Sequence, residues 1–152
     1  MLVFSEYQTD TIDLALDFYG YEDCPKNYEF GPSVRDNFVL HFITKGKGVF
    51  HINKNEIHLE AGDLFLLPKN MVTYYRADAE DPWSYYWIGI SGTKVSDFMR
   101  FSTLHAKGFL KKTEVDTERI GLFMEQLVHK AEDSKMTSHY QLHLLSQIYE
   151  LL

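Results

Sequence analysis

Tyr28-Glu29-Phe30-Gly31-Pro32-Ser33-Val34-Arg35-Asp36-Asn37-Phe38-Val39-Leu40-His41-Phe42-Ile43-Thr44-Lys45-Gly46-Lys47-Gly48-Val49-Phe50 is the stretch on which the reading of the fold turns. Val39 to Ile43 is nearly all apolar or aromatic, and Lys45-Gly46-Lys47-Gly48 supplies residues that tolerate positive φ. A strand, a Gly-rich hairpin turn and a returning strand are therefore expected. The same grammar recurs downstream. Val49, Phe50 and Ile52 carry the returning strand and Asn53-Lys54-Asn55 turns it, while Ile57 and Leu59 alternate with Glu56, His58 and Glu60 in the two-residue period of a half-buried sheet. Ala61-Gly62-Asp63 then turns into Leu64-Phe65-Leu66-Leu67, which Pro68 ends because proline lacks the donor that a central ladder requires. Val72 to Arg76 and the aromatic run Trp83 to Ile90 complete the set, with a polar turn from Asp78 to Pro82 between them and Ser91-Gly92 at the close. Short strands at this spacing predict a mainly β chain folded as a small closed barrel or jelly roll, not as βαβ units.

After Gly92 the period changes. Val95, Phe98, Met99 and Ser102 suggest a short helix, and Ile120, Phe123, Met124, Leu127, Val128 and Ala131 form an apolar stripe at steps of three and four. Asp116 or Thr117 is placed to cap that helix. Thr137 or Ser138 is placed to cap a last one carrying Leu142, Leu145, Ile148, Tyr149 and Leu152, and the link between the two is short enough to predict an antiparallel pair. That last stripe runs into Leu151-Leu152 without a stop signal, so the chain reads as a truncated piece of a longer protein.

With 152 residues, 45% apolar and 15% aromatic, one domain with one sizeable core is expected. The formal net charge of -7 argues against direct contact with nucleic acid, since phosphate binding needs clustered Lys and Arg. A single cysteine, Cys24, forms no internal disulfide and fits a reducing compartment. No apolar run approaches a membrane span and no leader pattern opens the chain, so a cytoplasmic location is expected.

Reactive chemistry is sparse. No nucleophile elbow, phosphate loop, HExxH or paired CxxC occurs. His51 and His58, with Glu56 and Glu60 nearby, face one another across a predicted hairpin, but metal binding needs three or four groups converging on one point, and a solvated face accounts for them better. The carboxylate pairs Glu56 with Glu60 and Asp78 with Asp81 lack an apolar setting that would separate their pKa values. No metal and no cofactor is expected. The aromatics say more: Tyr74, Tyr75, Trp83, Tyr85, Tyr86 and Trp87 crowd two neighbouring strands. Alternation puts Trp83, Tyr85 and Trp87 on one face and Tyr86, Ile88 and Ile90 on the other, and the first of these faces either fills a core or lines a pocket. Aromatic planes stack on the apolar faces of a pyranose, while tyrosine hydroxyls and indole N–H groups bond its hydroxyls. Arg35, Asp36 and His41 flank the first long strand, where a buried arginine or histidine would meet a polyol.

The ordered set Gly20-Tyr21-Glu22-Asp23-Cys24-Pro25, Tyr28-x-Phe30-Gly31-Pro32-x-x-Arg35-Asp36-x-Phe38-x-Leu40-His41-Phe42-x-x-x-Gly46-x-Gly48, Leu59-x-x-Gly62-Asp63-Leu64-Phe65-Leu66-Leu67-Pro68 and Trp83-x-Tyr85-x-Trp87-Ile88-x-x-x-Gly92 resembles the N-terminal effector-binding domain of arabinose-regulator-type transcription factors. The nearest subgroup resembles regulators of sugar-utilisation operons of Gram-positive bacteria. This resemblance implies a cupin-like jelly-roll barrel with an N-terminal arm, here Met1 to Thr11, over residues 1–92, and an antiparallel helical dimerisation element over residues 93–152. It implies a ligand-sensing, non-enzymatic module that binds a mono- or oligosaccharide and forms a homodimer. DNA would be contacted through a helix-turn-helix domain expected just after Leu152. Carried over residue by residue, the ligand contacts are Tyr75, Tyr85 and Trp87, beside the Arg35 and His41 argued above. Tyr85 stands where the arabinose-type member has a histidine. Leu142, Leu145, Ile148 and Tyr149 are the dimerisation candidates. The alternatives are a metal-dependent cupin enzyme and a dimerisation domain without a ligand. Such an enzyme would carry a second histidine where Asn53 stands, and another where Thr73 stands.

Overall fold

A computed structural model of the chain describes residues 3–6 and 14–133. In chain order the strands are β1 (Val3–Glu6), β2 (Ala15–Asp23), β3 (Glu29–Ser33), β4 (Phe38–Lys45), β5 (Lys47–Ile52), β6 (Asn55–Glu60), β7 (Leu64–Leu67), β8 (Thr73–Ala77) and β9 (Ser84–Ser91). The helices α1 (Thr93–Arg100) and α2 (Thr103–Lys107), the short strand β10 (Phe109–Leu110) and the helix α3 (Thr117–Asp133) follow. Asp116 caps α3, its Oδ1 accepting from the Arg119 N–H at 3.5 Å.

The strands form two sheets, one of six strands ordered β1-β2-β9-β4-β7-β10 and one of four ordered β3-β8-β5-β6. This corrects the expected closed jelly-roll barrel: the fold is mixed β with α, and the two sheets do not close on one another. The edges explain why. On β3, Pro32 has no N–H to offer and the register slips between Phe30 and Ser33, while β10 has only two residues. The hairpin expected at Lys45 to Gly48 is also corrected. Leu40 pairs with Leu66 and Ile88 in the larger sheet, whereas Phe50 pairs with Ile57 and Tyr75 in the smaller. Gly46, at φ 76°, is therefore a crossing point between sheets. The hairpin β5–β6 is as expected, with Asn53 and Lys54 at φ 53° and 64° in its two-residue turn.

Side-chain alternation divides the molecule into three layers. Phe38, Leu40, Leu64, Leu66, Ile88 and Ile90 project from one face of the six-stranded sheet against Val95, Met99, Leu104, Met124, Leu127, Val128 and Ala131 of the helices. Val39, Ile43, Phe65, Leu67, Tyr85 and Trp87 project from its other face and meet Phe50, Ile52, Leu59 and Tyr75 of the smaller sheet. Burial on both faces is the reason that β4, β7 and β9 read as almost unbroken apolar runs. Leu142, Leu145, Ile148 and Tyr149, the expected last helix and its antiparallel pairing lie outside the described residues. So does most of the expected arm, although Val3–Glu6 pairs antiparallel with Phe18 to Tyr21 along the sheet edge.

Candidate functional site

Between the two sheets lies a cavity of about 320 Å³ lined by Phe18, Glu22, Tyr28, Phe30, Arg35, Val39, His41, Leu67, Tyr75, Tyr85 and Trp87. All five residues singled out from the sequence, Arg35, His41, Tyr75, Tyr85 and Trp87, are on its wall. Strand parity brings them there. His41 on β4 is the register partner of Trp87 on β9, and Tyr85 and Trp87 sit two residues apart on the inner face. The smaller sheet contributes Tyr75 from β8 and Phe30 from β3, whose rings stack with centroids 5.4 Å apart. Phe18, Glu22, Tyr28, Phe30, Val39 and Leu67 were not singled out beforehand as site residues. Tyr28, Phe30 and Glu22 belong to the motifs quoted above, so motif membership was the available signal.

His41 forms the polar floor. Its ring lies flat against Phe65 at 4.2 Å and edge-on to Tyr85 at 4.9 Å, and its Nδ1 is buried without a hydrogen-bond partner among the described residues. Burial, with the Arg35 charge as a second cause, lowers its pKa from 6.5 to about 3, so the imidazole is neutral at neutral pH. The Arg35 guanidinium lies over the rings of Phe18 and Phe30 at 5.4 and 5.1 Å, and its Nε likewise lacks a partner. Burial raises the pKa values of the Glu22 carboxyl and the Tyr28 hydroxyl. Burial raises those of the Tyr75 and Tyr85 hydroxyls as well, and it acts too on the Cys24 thiol beside Tyr85. That thiol is pushed up to about 12 by burial, which leaves it without nucleophilic character. Buried polar atoms without partners among the described residues thus stand in a largely aromatic wall.

The other constellations are structural. His51 is the register partner of Glu56, and His58 that of Val49, on the outer face of the smaller sheet. His58 Nε2 is 3.5 Å from Glu56 Oε1, both side chains being exposed. Among the described residues no three His, Cys, Asp or Glu side chains come together to hold a metal ion. Asp63, buried after Gly62, accepts from the backbone N–H groups of Glu60 and Lys112, both at 2.9 Å, and so ties β6 to the segment after β10. Asp78 caps its own turn by accepting from the N–H groups of Glu80 and Asp81, both at 3.0 Å. Among the described residues no helix is long and apolar enough to cross a membrane.

Among known proteins, the Msm operon regulatory protein of Streptococcus mutans is 38% identical over 151 residues, covering 99% of this chain and 53% of that protein. The lactose operon transcription activator of Staphylococcus xylosus is 28% identical over 153 residues, covering 99% and 53%. The raffinose operon transcriptional regulatory protein RafR of Pediococcus pentosaceus is 41% identical over 100 residues, covering 64% and 36%. The chain thus spans about half the length, or less, of these relatives. Among solved structures, the protein YhaK from Escherichia coli matches with a TM-score of 0.52 at 15% identity, over 60% of this chain and 45% of that one, a likeness of fold alone. A family profile described as the AraC-like ligand binding domain matches residues 15–152. The chain, homologous to regulators of sugar operons, belongs to the family of AraC-like ligand-binding domains.

Proposed function

We propose that this chain is the effector-sensing and dimerisation part of a sequence-specific, DNA-binding transcriptional regulator, that its effector is a mono- or oligosaccharide, and that the whole protein controls a sugar-utilisation operon in the cytoplasm. The observation that carries this reading is the cavity in which Tyr75, Tyr85, Trp87, Arg35 and His41 converge, with unpartnered polar atoms on His41 and Arg35. The named operons of its relatives support it too. In this reading Trp87 stacks on the apolar face of a sugar ring, and His41, Tyr75 and Tyr85 bond its hydroxyls. The segment with Leu142, Leu145, Ile148 and Tyr149 joins two copies, and the part of the protein not represented here holds the DNA. Ligand binding acts on DNA only through a difference in affinity between two arrangements of the dimer.

Calorimetric titration with a panel of mono- and oligosaccharides, including lactose and raffinose, tests it. One of the panel is expected to bind. Trp87→Ala should weaken it by at least about tenfold, and Tyr85→Phe by a smaller factor, in proportion to the stacking and hydrogen bonding removed. Unchanged affinity in both variants would remove the pocket assignment, and no binding by any sugar would leave a dimerisation domain without this effector class.

A further inference from the structure

Glu22, on β2, is the register partner of Tyr85, and it lines the cavity together with Arg35, the one cationic side chain of the wall among the described residues. His41, beside them, is neutral and buried, and the remaining polar groups of the wall are tyrosine hydroxyls and the Trp87 indole. Among the described residues the wall therefore presents one carboxyl, one guanidinium and several neutral donors and acceptors. An uncharged polyol suits all of them, since its hydroxyls donate to Glu22 and His41 and accept from Arg35. A phosphorylated sugar does not. Its phosphate brings nearly two negative charges beside a half-buried carboxyl, with one guanidinium among the described residues of the wall to offset them. Desolvating that excess is costly, and juxtaposed like charges are a direct means of rejecting a close analogue.

We infer that Glu22 makes the cavity selective for the free, unphosphorylated sugar, so that the domain reads the sugar before its first phosphoryl transfer; this rests on the sugar-sensing reading above. The effector must then be supplied either by uptake that leaves the sugar chemically intact or by hydrolysis of a glycosidic bond. Phosphoryl transfer to the sugar consumes it and ends the signal.

The test is paired titration of the chain with galactose and lactose, each against its ester phosphorylated at a primary hydroxyl, using wild type and the near-isosteric Glu22→Gln variant. Thermal melting would check that the variant remains folded. The free sugar that binds should do so at least about thirtyfold more tightly than its ester, and Glu22→Gln should narrow that ratio by about fivefold or more. An ester that binds as tightly as its parent overturns the inference and leaves sugar sensing standing. Discrimination that survives intact in folded Glu22→Gln overturns the role of Glu22. If none of the four compounds binds and no sugar of the larger panel does, the sugar reading falls and this inference falls with it.

Discussion

His41 is a titratable side chain only 2% exposed, held neutral by burial with the Arg35 charge nearby. Its folded pKa lies below its ordinary value, so the stability that depends on its neutrality is fully present above about pH 6.5 and is lost as pH falls toward 3. Replacing it by phenylalanine, which preserves the stacking on Phe65, removes that dependence. Between pH 6.5 and 4, wild type should lose on the order of a few kcal/mol more than His41→Phe in denaturant unfolding, because the carboxylates titrate alike in both. Parallel pH profiles for the two proteins would contradict a buried neutral imidazole. Residues of this kind were legible in part. Tyr85 and Trp87 announced a shared face because strand parity is strict, and His41 and Arg35 stood out as polar residues beside an apolar strand. Glu22 and Phe18 did not, since they sit on β2, whose register shifts between Leu16 and Phe18 and breaks the alternation by which a strand is recognised.

Element by element, β5–β6, β7, β8, β9, α1 and α3 follow from periodicity and turn residues. The missing information was where the chain changes sheets. A glycine between two apolar strands looks the same whether it closes a hairpin or, as at Gly46, carries the chain across the core, and only pairing partners distant in sequence distinguish the two. Close packing between elements gives two further predictions. A Cβ added at Gly121 in α3 would lie 2.2 Å from the Phe42 ring of β4. Gly→Ala in an open helix ordinarily gains roughly 1 kcal/mol, but here the sign should reverse and Gly121→Ala should cost about 1–3 kcal/mol in chemical unfolding. A Cβ at Gly89 in β9 would meet the Phe18 ring at 2.3 Å, and Phe18 lines the cavity. Gly89→Ala should therefore lower both stability, by a similar ~1–3 kcal/mol, and sugar affinity, because the displaced ring is part of the cavity wall. Equal affinity in wild type and Gly89→Ala would place Phe18 outside the binding surface.

At the scale of the molecule, the six-stranded sheet is a shared wall with the cavity on one side and helices on the other. Periodicity revealed the apolar runs but not the second covering layer that makes them continuous, and so a barrel was expected where two open sheets occur. Dimerisation is tested at this scale by sedimentation of the whole chain. It should run as a dimer at micromolar concentration, whereas Leu145→Glu should shift it to monomer without altering the cavity. An unchanged sedimentation coefficient in that variant would assign the segment another role. The wall also carries both tryptophans of the chain on its inner side, Trp83 sealed at 0% exposure and Trp87 at the cavity at 8%. One indole is thus a constant background and the other an optical reporter: an arriving occupant should change the emission of Trp87 alone, and a Trp87→Phe protein should stay dark to it while still fluorescing through Trp83.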